Sequence, residues 1–199
     1  MQPVDLGWVL VVPAYLLGTF PTAILVGRRM GSDPTAEGSG NPGASNTMRN
    51  LGRRAGAVVL AGDLGKGVVA ALVGLATGNR AIGVGCGLAA VVGHVFPVTR
   101  RFRGGKGVAT AAGVVAVLLP LASVGLVVLW VVVARWSGVA SLASLVVAAA
   151  APLAAAATGR PAGEVAAFAA CAALVVLRHR DNIGRLRRGE ERSLRRQGR

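Results

Sequence analysis

Long apolar runs, separated by short basic clusters, constrain this chain more than any other feature. They cover residues 6–27, 55–79, 81–99, 107–134, 136–159 and 161–177. A membrane helix needs about 20 mostly apolar residues to cross about 30 Å of hydrocarbon. The pattern therefore predicts an all-α integral membrane protein. Only 15% of the 199 residues are charged and 53% are hydrophobic, whereas a soluble domain carries roughly 25% charged residues. The same figures exclude intrinsic disorder. The net charge of +14 does not point to nucleic acid, because the basic residues flank apolar runs and lack interleaved aromatics beyond Phe102. Cys86 and Cys171 lie within apolar runs without metal-ligand neighbours and read as packing residues. The first run follows Met1–Asp5 with no basic segment before it, so it is expected to be a retained span.

Charge sets the expected topology. Asp5 precedes the first run and Arg28 and Arg29 follow it, which places the N-terminus outside. The third run then ends inside, at Arg100, Arg101, Arg103 and Lys106. Residues 107–134 would make a helix of about 42 Å, too long for one upright span and short for two. If they crossed once, the nine arginines after Leu177 would lie outside. A turn near Pro120 puts Arg135 and that tail inside, leaving Arg80 and Arg160 in outer loops. The expectation is a compact bundle of seven transmembrane helices, N-terminus outside and C-terminus cytoplasmic. It forms one domain over residues 1–199, packed through small residues, among them 29 glycines.

Three segments on the expected cytoplasmic side, 38–52, 93–110 and 178–183, hold more specific polar residues than connecting loops need. A basic tail, 184–199, follows them and reads mostly as a lipid-headgroup anchor. The first segment contains G-x-G-x-x-G at Gly38, Gly40 and Gly43, but a membrane span precedes it rather than the strand of a dinucleotide fold. Its glycines can present successive N–H groups to an anion. Ser39 and Asn46 add neutral donors, and Arg49 adds a planar fork for phosphate. A plain turn needs three or four such residues, not fifteen. In the second segment Lys106 stands among Gly104, Gly105 and Gly107 at a helix start, where amides and dipole favour negative charge. It is not a Walker motif, since Arg100 and Gly107 occupy positions that motif gives to glycine and Ser or Thr. In the third, His179 and Asn182 are three apart and would share a face on a continuing helix.

Inside the runs, Asp63 and Lys66 are spaced to pair as ions, although an ionisable group within a membrane is also a functional candidate. Ser141 and Ser144 open the fifth run's helical part near its cytoplasmic end, where serines often bond backbone carbonyls.

Taken in order, GSGNPGASN with Arg49, GHVFP with RFRGGKGVAT, and RHRDNI resemble the three cytoplasmic motifs of the bacterial acyl-phosphate-dependent glycerol-3-phosphate acyltransferases, the PlsY family. Residues 63–67 and 141–144 are also similar to family stretches, so the likeness covers essentially the whole chain. Ser45 stands where threonine is usual, and Asp181 where glutamate is usual. The resemblance implies transfer of a fatty acyl group from acyl phosphate to the 1-hydroxyl of glycerol 3-phosphate, giving lysophosphatidic acid and phosphate for phospholipid synthesis. It also implies a site on the cytoplasmic face of the bacterial inner membrane. Ser39, Arg49 and Lys106 would grip phosphates, helped by Asn46 and by amides around Gly40, Gly43, Gly104 and Gly105. Asn182 and Ser141 would orient the acyl phosphate or stabilise the oxyanion, and His179 is a candidate base. The donor's own phosphate is the alternative base. Membrane lipids are the only other partners expected, with no cofactor, metal, nucleic acid or obligatory protein. A small anion transporter or channel is the competing reading. It calls for polar or broken-helix features at mid-membrane and for repeated halves, and the sequence shows no convincing repeat.

Overall fold

The computed structural model describes residues 6–194. Asp5, used for the orientation, and the last arginines of the tail, Arg195, Arg196 and Arg199, lie outside the described residues. The described chain is helical throughout its long elements and divides into two compact units at residues 118 and 119.

The first unit begins with a 3-10 turn over Leu6–Leu10, followed by α1, Val11–Gly18, and α2, Thr22–Arg29. The first apolar run is thus not one unbroken helix. Pro21 ends α1's continuation because its ring removes an N–H and pushes Phe20 out of the helical region. After a loop come α3, Ala44–Leu51, and α4, Arg53–Leu75; then α5, Arg80–Val95, and α6, Val108–Leu118. Helix α4 is central, packing on both α5 and α6, while α1 packs on α5. Glycine makes these approaches possible. A Cβ on Gly67 would fall on the Thr110 carbonyl oxygen, and one on Gly113 would fall on that of Leu64, so α4 and α6 touch backbone to backbone. Gly18 against Ala90 and Gly93 against Tyr15 do the same for α1 and α5. The Tyr15 hydroxyl also donates to the Phe96 carbonyl at 2.8 Å and accepts from Val98 N–H at 3.1 Å. It closes the frayed end of α5 beside the second polar segment.

The second unit holds α7, Pro120–Ser137, α8, Ala140–Ala157, α9, Ala162–Arg178, and α10, Arg180–Arg187. Helix α8 packs on α7 and α9. The long run 107–134 divides where the charge argument put the turn: α6 stops at Leu118 and α7 starts with Pro120 at its first position, where no N–H is needed.

Among the described residues, five helical stretches are long and apolar enough to cross a membrane: Leu6–Arg29, Arg53–Leu75, Arg80–Arg100, Pro120–Ser137 and Ala140–Ala157. A sixth is Ala162–Arg178 with Arg180–Arg187, bent by 60°. Val108–Leu118, with 11 residues, is shorter than a full crossing. Large apolar side chains such as Leu121, Val124, Leu153 and Trp136 lie exposed on these helices. In water so many exposed apolar groups would be a liability; toward lipid they are the required surface.

Candidate active site

The first polar segment is ordered by one side chain. Asn46, 1% exposed on α3, accepts from Ser39 N–H at 2.8 Å and donates to the Pro34 and Glu37 carbonyls at 2.9 and 3.1 Å. Its amide therefore folds the loop that carries Ser39. Gly38 and Gly40 have φ of +60° and +68°, which only glycine adopts without cost. Gly43 is extended and precedes α3's first residue, while Arg49 is exposed in the last turn of that helix.

The second segment turns back on α5. Arg101 and Phe102 both have positive φ, 50° and 61°, a strained pair for residues with side chains. Phe102 N–H bonds the Pro97 carbonyl at 2.9 Å, and Gly105 N–H bonds the His94 carbonyl at 3.1 Å. Gly104 is buried so tightly that a Cβ would fall on that same His94 oxygen. The result places Lys106 just before α6, with Gly107 at φ +84° completing the entry to the helix. A lysine at a helix N-terminus suits a phosphate, but the glycine amides do not present themselves to an anion as the sequence suggested: the Gly105 N–H is given to His94, and those of Gly40 and Gly43 to the Glu37 and Asn41 carbonyls at 3.0 and 2.9 Å. Pro42 of the first loop and Gly104 and Gly105 of the second line one cavity of about 20 Å³, so the two loops adjoin.

Below these loops lies a buried polar cluster. The expected Asp63–Lys66 ion pair is present, Nζ to Oδ1 at 3.0 Å. Lys66 also donates to the Phe20 carbonyl at the α1–α2 break, at 3.2 Å, and His94 Nδ1 stands 3.6 Å from Asp63 Oδ1.

In the second unit Ser141, His179 and Asn182 are all buried. His179 and Asn182 do not sit on one continuing helix: the chain bends by 60° between α9 and α10, at His179. The histidine explains the bend. Its Nδ1 lies 2.7 Å from the Val175 carbonyl, displacing its own backbone N–H to Val176 at 2.9 Å. A carbonyl only accepts, so Nδ1 carries the proton and Nε2 is the acceptor nitrogen of the neutral ring. Asn182 donates to Glu191 Oε1 at 2.7 Å, and Arg185 Nε pairs with Glu191 Oε2 at 2.8 Å. Burial pushes the Glu191 carboxyl up, but hydrogen bonds from Asn182 and Arg185, with Ser141 nearby, hold it below its ordinary value of 4.5. Sequence reasoning assigned this tail to lipid anchoring and missed Glu191. Asp181, adjacent to Asn182, is exposed and pairs only with Arg180, at 3.7 Å. Ser144 accepts from Trp130 Nε1 at 3.1 Å and donates to the Ala140 carbonyl at 2.9 Å, a structural role.

Long apolar helices, two glycine-rich polar loops and a buried Ser/His/Asn set define the class: a helical integral membrane protein with the residue types of an anion-handling site. The comparisons give the family. The family model described as glycerol-3-phosphate acyltransferase matches residues 8–189. A glycerol-3-phosphate acyltransferase of Rubrobacter xylanophilus is 46% identical over 189 residues, covering 92% of each chain. That of Thioalkalivibrio sulfidiphilus is 45% identical over 184 residues, covering 92% of this chain and 91% of its own. The crystal structure of PlsY (YgiH), an integral membrane glycerol 3-phosphate acyltransferase, in its glycerol 3-phosphate form superposes with a TM-score of 0.91 at 35% identity. It covers 95% of this chain and 96% of the solved one. The lysophosphatidic acid form gives 0.88. The chain belongs to the glycerol-3-phosphate acyltransferase family of the PlsY type, and it is an integral membrane acyltransferase.

Proposed function

We propose that the donor is a fatty acyl phosphate and the product lysophosphatidic acid. In this reading the 1-hydroxyl oxygen of glycerol 3-phosphate attacks the acyl carbonyl carbon. The bond from that carbon to the phosphate oxygen breaks, and inorganic phosphate leaves with the electron pair. The hydroxyl proton passes to His179 Nε2. Ser39, Arg49 and Lys106 bind the phosphates through their side chains, on loops whose shape is set by Gly40, Gly43, Gly104 and Gly105, and Asn46 holds Ser39 in place. Asn182, aligned by Glu191, and Ser141 orient the acyl phosphate and stabilise the tetrahedral oxyanion. Orientation alone supplies about 7–11 kcal/mol of the barrier.

The observation that carries the reading is the pair of adjoining phosphate loops, each with its glycine backbone fixed by a buried side chain or a helix end. An acyl phosphate is an activated anhydride with an anionic leaving group, which fixed phosphate donors stabilise as the bond breaks. The solved PlsY structures hold glycerol 3-phosphate and lysophosphatidic acid forms, which fit acceptor and product. The topology that suits this site has seven spans, with the short α6 as one of them, an outer N-terminus and loops facing the cytoplasm across the bacterial inner membrane. Purified protein given labelled glycerol 3-phosphate and acyl phosphate should form lysophosphatidic acid and phosphate in equal amounts. Anion flux through proteoliposomes without ester formation would favour the transporter reading and refute this one.

A further inference from the structure

Asp63, Lys66 and His94 form a buried cluster with no part in the reaction scheme. Each comes from a helix of the first unit, and together they reach three places. Lys66 holds the Phe20 carbonyl at the break in the first span, 3.2 Å away. Asp63 lies between Lys66 at 3.0 Å and His94 at 3.6 Å. His94 touches the phosphate loop twice, through its carbonyl to Gly105 N–H at 3.1 Å and through its ring. A Cβ on Gly105 would fall on His94 Nε2, and the next nearest atoms are also of that ring. Gly105 carries no positive φ, so it is the ring and not the backbone conformation that demands glycine there.

From this geometry we infer that Asp63 and Lys66 orient the His94 ring as the template on which the Gly104–Gly105 backbone folds, making all three positioning residues for the phosphate loop. The inference rests on the reading that this loop binds a phosphate-bearing substrate. A carboxylate beside an imidazole also describes a general-base pair, which the sequence spacing lacks and the fold supplies from two helices. The loop argues against that use. Nδ1 faces Asp63, and Gly105 lies against Nε2, where a substrate hydroxyl would have to sit; the cavity these residues line with Gly104, about 20 Å³, has room for about one water. Two buried opposite charges are costly to desolvate, and such pairs are best retained where they fix one arrangement among several. Here the arrangement fixed is a strained turn, with Arg101 and Phe102 both left-handed just before the glycines.

The test is a double-mutant cycle on the full-length protein. Gly105→Ala should raise the KM for a phosphate-bearing substrate about tenfold or more with kcat within a few fold, and measuring both substrates identifies which phosphate the loop holds. His94→Ala/Gly105→Ala removes the ring that the new methyl strikes, and its KM should fall at least about threefold below that of Gly105→Ala. His94→Phe/Gly105→Ala keeps the bulk and should show no recovery. Hydrogen exchange of residues 101–110 is read on the same proteins, with faster exchange in Gly105→Ala and slower exchange restored in the double variant. Should His94→Ala yield unfolded protein, His94→Ser takes its place. Fold-losses that multiply in both readouts would overturn the template. So would a His94→Ala protein with kcat abolished and KM unchanged, since that is the behaviour of a base. Coupled exchange in a protein that makes no ester would keep the template and refute the proposed reaction.

Discussion

Replacing Asn46 with alanine removes three side-chain hydrogen bonds, to Ser39 N–H, Pro34 C=O and Glu37 C=O, at 2.8, 2.9 and 3.1 Å. Each is worth about 1 kcal/mol net, so the loop that carries Ser39 loses about 3 kcal/mol of support. At 1.4 kcal/mol per decade, the ordered loop becomes about 10²-fold less favoured. The loss falls on the loop because its partners lie in residues 34–39, outside any helix. We expect kcat/KM to fall about 10²-fold in Asn46→Ala, while the unfolding temperature in detergent changes little. Asn46→Asp, nearly isosteric, keeps the acceptor for Ser39 but sets a carboxylate against two carbonyls, so it should be no better than alanine. Steady-state kinetics with both substrates, beside thermal unfolding, would decide the matter. A kcat/KM within about threefold of the parent protein, or a lowered unfolding temperature with kcat/KM intact, would refute the assignment of Asn46 as the loop's organiser.

Arg49→Lys should raise the KM for glycerol 3-phosphate about tenfold or more, because an ammonium cannot reproduce a bidentate grip; an unchanged KM removes Arg49 from the acceptor site. His179→Ala should lower kcat by about 10²–10⁴, and a loss below about tenfold assigns proton acceptance to the donor phosphate instead. The Glu191 clamp should show in the acid limb of stability. Its folded pKa lies below the ordinary 4.5, so the contribution is complete above about that pH and disappears as pH falls through the lower folded value. Unfolding temperature measured against pH should lose this part of its slope in Glu191→Gln, and an unchanged slope would show that the clamp contributes nothing.

The membrane class, the helical content and the division near Pro120 were legible because each depends on local pattern: apolar length, basic flanks and a proline. The three polar segments were legible as segments, through residue types that loops do not need. What the side chains do within them was less so. Asn46 reads as a donor for ligand, yet its bonds go to backbone atoms up to twelve residues away, a matter of loop path that spacing does not encode. His179 and Asn182 read as one helix face, but the imidazole itself competes for the Val175 carbonyl and bends the chain there. Asp63 and Lys66 pair as their spacing suggests, whereas His94 joins them from another helix. Glu191 was hidden by composition, one of two adjacent carboxylates among the arginines of a tail that looks like an anchor. Pro21 was a readable signal for the break in the first run, outweighed by that run's continuous hydropathy.

Donor chemistry tests the central claim most directly. Thioester-dependent glycerolipid acyltransferases use a His-x-x-x-x-Asp pair, and here Thr99 and Gly184 stand five residues after His94 and His179. Asp63, the carboxylate paired with His94, lies in a cluster whose ring abuts Gly105 and whose adjoining cavity, about 20 Å³, has room for about one water rather than a substrate. Purified protein supplied with glycerol 3-phosphate should make lysophosphatidic acid from palmitoyl phosphate and show at most trace activity with palmitoyl-CoA. Comparable rates with the thioester would contradict both the donor assignment and the account of why these loops are built to hold phosphate.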